Sequence, residues 1–432
     1  MRFVIAFLIC CAASVAQTPD VKGDWVLTIV RFGEPDYTRL KLESNNGHYT
    51  GKIWGGVQLD GVAKGSSRLE FQCSYEEEDK QRKACGSLSV SASQDEMKGQ
   101  GKMFDEAATI SAKRYVPQNG TPRTHQFTPT RFHRLFSGNI EPALHMNPGD
   151  TVQTKSVDAG GVDEKGEHRS MGGNPLTGPF YIEGAVPGDT LVVHLNRVRL
   201  NRDTAGIYND TVVGSTVDPY YFRDLKRVKD FDSSWKLDRT AGTAMLTKPT
   251  DRLKDFKIAL HPMLGCVGVA PPGHQAFRSG NLGDYGGNMD YNQLREGVTL
   301  YMPVFQPGAL LFVGDGHATE GDGELTGNAL ETSMDIEFTV DLIRGKSLGQ
   351  PRSENNEYVM VSGIGGSLAD ALQSATTGMS RWLEEEYQLN PGEVAMVLGS
   401  SMRYDIAEVV DPQVHVVAKL AKNTLAQIPK LK

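Results

Sequence analysis

The nine-residue run MDIEFTVDL, residues 334–342, restricts the fold more than any other stretch of this chain. Met334, Ile336, Phe338, Val340 and Leu342 alternate with Asp335, Glu337, Thr339 and Asp341. A period of two puts the first set on one face of an extended strand and the second on the other, so the spacing predicts a strand buried on one side. Leu191-Val192-Val193-His194-Leu195 and Leu310-Leu311-Phe312-Val313 read as further strands. Glycine at 47 positions and proline at 21, in 432 residues, punctuate the chain and favour short strands and turns over long helices. A mainly β protein is expected, with a β-sandwich as the scaffold of residues 131–345.

A chain this long exceeds one ordinary core and calls for two or three domains. Residues 17–116 carry short alternating runs, among them RLEFQCSY and GSLSVSASQDEMKGQGKM, separated by Asn-Gly, Asp-Gly and Gly-Ser signals. That spacing predicts a small all-β barrel or meander. It holds no paired carboxylates, metal-ligand spacing or nucleophile motif, so a binding or packing module is expected there. Residues 117–130, with three prolines in YVPQNGTPRTHQFTPT and no apolar periodicity, read as a linker.

The first twenty residues are MRFVIAFLICCAASVAQTPD. Arg2 supplies a positive start, Phe3 to Cys11 a short apolar run, and Ser14-Val15-Ala16 small residues before Gln17. The pattern predicts a secretory signal peptide over residues 1–16 and a secreted or periplasmic protein. Neither this run nor any later one is long enough to span a membrane. Cys73 and Cys85 flank a charged loop as two strands of a hairpin would, and an oxidising compartment permits a bridge between them. Cys266 is then odd, and its expected role is that of a buried small hydrophobe.

Beyond residue 345 the pattern turns helical. Leu368, Leu372, Ala375, Met379 and Leu383 fall on one face, with Ser367 and Asp370 as a capping pair. Asn390-Pro391-Gly392-Glu393 has the cap, proline and acid of a second helix start. SGIGGS, between a strand and the first helix, lacks the spacing of a phosphate-binding loop and reads as a strand-to-helix turn.

A net charge of −8 argues against nucleic acid or an anionic membrane as partner. HExxH, GxSxG and cysteine-rich zinc spacings are missing, and GDGHATEGDGE, residues 314–324, lacks the D-x-D-x-D-G rhythm of an EF-hand. That stretch nonetheless sets Asp315, His317, Glu320, Asp322 and Glu324 among four glycines. Asp158 in DAGG, Asn288 and Asp290 in GGNMD, and Glu331 in NALE add polar groups at strand ends and turns. Hard or borderline cations need two or three carboxylates plus imidazole on rigid backbone. Glycines around Asp315 and His317 would allow a tight turn to bring both to one point. Taken singly, each Asp-Gly is an ordinary turn.

Four blocks carry a resemblance. HRLFSGNIEPALHMNPGDTVQTKSVDAGG, NPLTGPFYIEGAVPGDTLVVHL, LHPMLGCVGVAPPG and GGNMDYNQLREGVTLYMPVFQPGALLFVGDGHATEGDGELTGNALE follow in the order found in the acetamidase/formamidase family. Residues 131–425 resemble that family, and the N-terminal β module does not. The resemblance implies a β-sandwich and a metal-supported site cleaving the C–N bond of small linear amides to ammonia and a carboxylate. It implies Asp158, Asp290, Asp315 and His317 on the metal side, with His133 as a substrate-binding group or further ligand and Asn288 as substrate-binding. Glu324 is expected as the general base, Glu331 as the reserve, and His317 is the other base candidate. The ligand types suit Zn²⁺, Ca²⁺ or Mn²⁺, with zinc or calcium expected. Glu320 stands where many relatives look to carry glutamine. The rival expectation is a secreted, non-catalytic protein holding a metal or a carbohydrate on the same scaffold. A small amide is the expected partner, and a homo-oligomer is compatible with the sequence.

Overall fold

The computed structural model describes residues 20–54, 56–65, 67–77, 80–115 and 121–430. The expected signal peptide therefore lies outside the described residues. The chain divides into two compact units, one ending at residue 117 and one beginning at 118.

The first unit is a closed barrel of eight antiparallel strands, each paired with its neighbour in sequence. Gly23–Arg31 closes it by pairing with Glu106–Arg114. The two-residue alternation decides what fills it: Trp25, Leu27 and Ile29 point inward from the first strand and are buried, as are Leu69, Phe71 and Cys73 from the fifth. Between Glu34–Asn45 and His48–Ile53 the chain reverses through Asn46 and Gly47, both at positive φ, as a two-residue hairpin requires. Cys73 and Cys85, on the paired strands Arg68–Glu76 and Arg82–Ala92, are joined by a disulfide with their Cα atoms 5.2 Å apart.

The second unit is built on a six-stranded and a nine-stranded sheet. One apolar cluster joins them: Phe180, Leu264 and Phe312 come from the first, Leu191, Leu300 and Phe338 from the second. The rings of Phe180 and Phe338 meet edge to face with centroids 5.2 Å apart, and this contact pins the two sheets together. Met334–Ile343 is a strand of the nine-stranded sheet, with Met334, Ile336, Phe338 and Val340 buried. Leu342 is only half-buried, because the strand runs out of the core at that end. A four-stranded sheet and a two-stranded ribbon complete the unit.

Two sequence expectations change. Thr124–Gln126, inside the stretch read as linker, is a strand parallel to Thr151–Gln153, so the second unit takes up chain before residue 131. Backbone pairing holds these three residues and needs no apolar pattern, which is why periodicity did not mark them. In the helix Leu368–Tyr387, the buried stripe is Ala371, Ala375, Met379, Leu383 and Tyr387. Leu368 and Leu372 are exposed instead. The small alanines let the first turns lie close on the strand Tyr358–Gly365, and that close approach outweighs burying two leucines. Ser367 caps this helix, and Asn390 with Glu393 forms a full capping box on Pro391–Ser401.

Candidate active site

The apolar run before Asp315 carries one strand, Leu311–His317, through the six-stranded sheet between Leu176–Ile182 and Met263–Gly268. Asp315 and His317 are thus the last residues of a strand and not members of a tight turn. Their spacing of two puts both side chains on one face. Asp290 follows the short strand Gly286–Asn288, which pairs with Met263–Gly268 at Cys266↔Asn288. Glu320, Glu324 and Glu331 come from the loop beyond His317, and an isolated bridge between His317 and Glu331 folds that loop back.

These groups converge on the imidazole of His317, which is fully buried. Its Nε2 lies 3.4 Å from Glu331 Oε2, 3.6 Å from Asp315 Oδ1 and 3.9 Å from Asp290 Oδ1. Its Nδ1 is 2.8 Å from Glu320 Oε2. Candidate ligand atoms within 4.8 Å of one another form two sets that share His317: Asp290, His317, Glu320 and Glu324, and Asp315, His317 and Glu331. Asp290 Oδ1, Asp315 Oδ1, His317 Nε2 and Glu331 Oε2 are all buried without a hydrogen-bond partner. Buried polar atoms are nearly always paired, and several unpaired carboxylate oxygens around one unpaired imidazole nitrogen fit a cation. Gly265 makes the cradle: a Cβ there would come within 2.4 Å of Asp290 Oδ1, 2.9 Å of Asp315 Oδ2 and 3.0 Å of the His317 ring.

The electrostatics agree with that fit. Burial first, then the Glu324 charge, pushes the Asp290 carboxyl well above its usual range. Burial does the same to Glu324 and raises Glu331 to about 7. Burial opposes protonation of His317, but Glu331, Asp315 and Glu320 around it prevail, and its pKa rises well above the ordinary value. A cation among these groups would favour their ionised forms and reverse the carboxyl shifts.

Above this floor opens a cavity of about 640 Å³, lined in part by Asn288, Glu324, Glu331 and Asp411. Asn288, buried, donates through Nδ2 to Asp290 and to Asp411 Oδ2 at 2.6 Å, and accepts from Asn174 Nδ2 at 3.0 Å. The same Asn174 Nδ2 lies 2.8 Å from Asp315 Oδ2. Cys266 Sγ is buried 2.9 Å from Asn288 Oδ1, its thiol pushed well up by burial and then by Asp315. That disfavours the thiolate a nucleophile needs.

Two expected site residues stand apart. Asp158 Oδ2 accepts from Arg202 Nη2 at 2.5 Å and its Oδ1 from the Val162 amide at 2.8 Å, so both oxygens are taken by protein donors. His133 bridges Leu176 through its backbone, and its ring stands edge to face with Phe312 at 6.5 Å. The next residue, Arg134, lines the cavity instead. Sequence reasoning missed Asn174 and Asp411. Asn174 follows a Gly-Gly pair and Asp411 precedes a proline, both ordinary turn contexts that gave no functional signal.

The profile of the Acetamidase/Formamidase family matches residues 121–281 and 273–370. The chain belongs to this family. Members similar to it include an acetamidase of Mycolicibacterium smegmatis, 26% identical over 268 residues that cover 49% of this chain and 66% of that protein. A putative formamidase of Schizosaccharomyces pombe is 26% identical over 243 residues, covering 45% and 59%. The chain thus spans a little under two thirds of these curated relatives. The crystal structure of an acetamidase from Yersinia enterocolitica superimposes with a TM-score of 0.61 at 27% identity, over 73% of this chain and 96% of that one. The barrel strands lie outside the stretch that the acetamidase/formamidase profile matches.

Proposed function

We propose that this chain hydrolyses the C–N bond of linear amides, R–CO–NH₂ + H₂O giving R–COO⁻ and NH₄⁺. The observation that carries the reading is the set of unpartnered buried atoms on Asp290, Asp315, His317 and Glu331, of which Glu331 also lines the cavity. Family membership supports the same chemistry. Asp315, His317 and Glu331 would hold a divalent cation, with Asp290 facing the same His317 nitrogen; zinc or calcium is the reading for its identity. Once bound, such an ion supplies Lewis acidity toward the amide oxygen and acidifies water.

The chain's own residues supply the rest. Asn288, its amide held by Asn174, Asp290 and Asp411, lines the cavity where the substrate would lie. Glu324 reaches the same cavity, and with its carboxyl ionised beside the cation it would take a proton from water and return it to the leaving nitrogen. Glu331 is the reserve, since its Oε1 is already bound to the Ala329 amide at 3.1 Å. His317 keeps the ligand role because its Nδ1 is engaged by Glu320.

The test is ammonia release from formamide, acetamide and propionamide, before and after chelation and again after Zn²⁺, Ca²⁺ or Mn²⁺ is restored. Release that chelator removes and metal restores is expected. No release from any of the three by metal-loaded protein would overturn the reading and leave a non-catalytic binding protein. We also propose that the protein acts outside the cytoplasm, on the strength of residues 1–16; a mature chain that still begins at Met1 would count against export.

A further inference from the structure

The proposed cleavage site takes up only the floor of its cavity. The total volume is about 640 Å³, inside the roughly 300–1,000 Å³ of pockets that hold ligands of many heavy atoms. At about 30 Å³ per heavy atom, the share of a water molecule in the liquid, the four heavy atoms of acetamide fill on the order of 100 Å³. Most of the space is available to whatever the amide is attached to.

Burial grades the lining by charge, with Asp411 half-buried and bound to Asn288. Glu324 and Glu331 are buried at the floor, whereas Arg134 and Arg278 are exposed and so stand at the mouth. The two arginines belong to adjoining strands: Leu135–Ser137 pairs with Ala276–Arg278 in the register Leu135↔Arg278, and Arg134 directly precedes Leu135. Neither guanidinium has a carboxylate partner among the described residues. Arg134 donates to the Gly172 carbonyl at 3.2 Å and lies 3.8 Å from Met171 Sδ. An anion entering this cavity meets both arginines among its lining residues. Guanidinium is also the side chain best shaped for bidentate contact with a carboxylate.

We infer that the favoured substrate is an amide bearing a carboxylate a few bonds from the scissile C–N bond, and that Arg134 and Arg278 bind that carboxylate. The inference rests on the amide-hydrolase reading of the floor. It makes formamide and acetamide measurable but slower substrates than the anionic amides, because neither reaches the mouth.

The experiment compares full-length, metal-loaded protein on succinamate and glutaramate against the neutral amides of equal carbon count, butyramide and valeramide. An advantage of about fivefold in kcat/KM is expected for the anionic amides, carried mainly by KM and shrinking at high salt, as solvent-exposed guanidinium–carboxylate contacts would give. The double variant R134Q/R278Q should lose most of that advantage, and R278E should move the preference toward cationic 4-aminobutyramide. Equal or better turnover of the neutral amides overturns the inference and leaves the hydrolase reading standing, as does an advantage that survives in the double variant. Calorimetric titration with succinamate and butyramide separates the remaining case. Arginine-dependent binding of succinamate without turnover would sink hydrolysis alone, and equal binding of the two would sink carboxylate recognition.

Discussion

Glu320 Oε2 lies 2.8 Å from Nδ1 of His317, both groups buried, at the point where the strand Leu311–His317 gives way to its loop. A carboxylate accepting the Nδ1 proton leaves the lone pair on Nε2, the nitrogen that faces Asp290, Asp315 and Glu331. Partners of this kind orient a ligating imidazole and raise its basicity. Glu320→Ala should therefore weaken Zn²⁺ affinity by about 10–100-fold. Glu320→Gln, whose amide oxygen can still accept from Nδ1, should lose much less. Titration calorimetry on metal-stripped protein checks the pair; equal losses would mean that charge and not orientation is what Glu320 contributes.

Gly265 offers a steric test of the same centre. Gly265→Ala would bring a methyl group within 2.4 Å of Asp290 Oδ1, and such overpacking costs about 1–3 kcal/mol. Metal affinity should fall by roughly the 10–100-fold seen when ligand orientation is disturbed. Circular dichroism should still report a folded protein. Undiminished affinity would show that the cation is held elsewhere.

His415 gives a pH dependence of stability. It is fully buried, donates from Nδ1 to the Met289 carbonyl, and burial drives its pKa down to about 4. The folded protein thus keeps this ring neutral, while the unfolded chain protonates it near pH 6.5. Above pH 6.5 neither state binds the proton and the group contributes no pH dependence. Between 6.5 and 4 the unfolded state binds more protons, so stability falls as pH falls, by at most about 3 kcal/mol. Urea unfolding at pH 7 and pH 5 should show a smaller loss in His415→Gln than in the parent. Identical losses would remove His415 from the account.

Deletion of residues 17–116 tests the independence of the two units. The barrel has its own buried core, and every residue of the proposed site belongs to the second unit. Ammonia release per folded molecule should be unchanged in the truncated chain. Loss of turnover in a truncation that remains folded would show that the barrel contributes to the cavity.

What the sequence by itself determined follows from local rules. Alternation at residues 334–342 marked a one-sided strand, Asn46-Gly47 marked a hairpin turn of the small β unit whereas Asp60-Gly61 lies inside the strand Val57–Lys64, and Ser367 and Asn390 marked two helix starts. Each depends only on neighbours a few positions away. The blocks that resemble the family also brought Asp290, Asp315, His317, Glu324 and Glu331 into view. The tertiary structure alone decided which acids meet the imidazole. Asp158 is bound to Arg202 across 44 positions, and Asn288 is braced by Asp411 across 123. Pairings at such separations are set by sheet register and packing, and the residues near each acid in the chain carry no trace of them. The same holds for Arg134 and Arg278, which share one cavity mouth because two three-residue strands pair. A lone arginine beside a turn looks alike in sequence whether it faces water or a substrate.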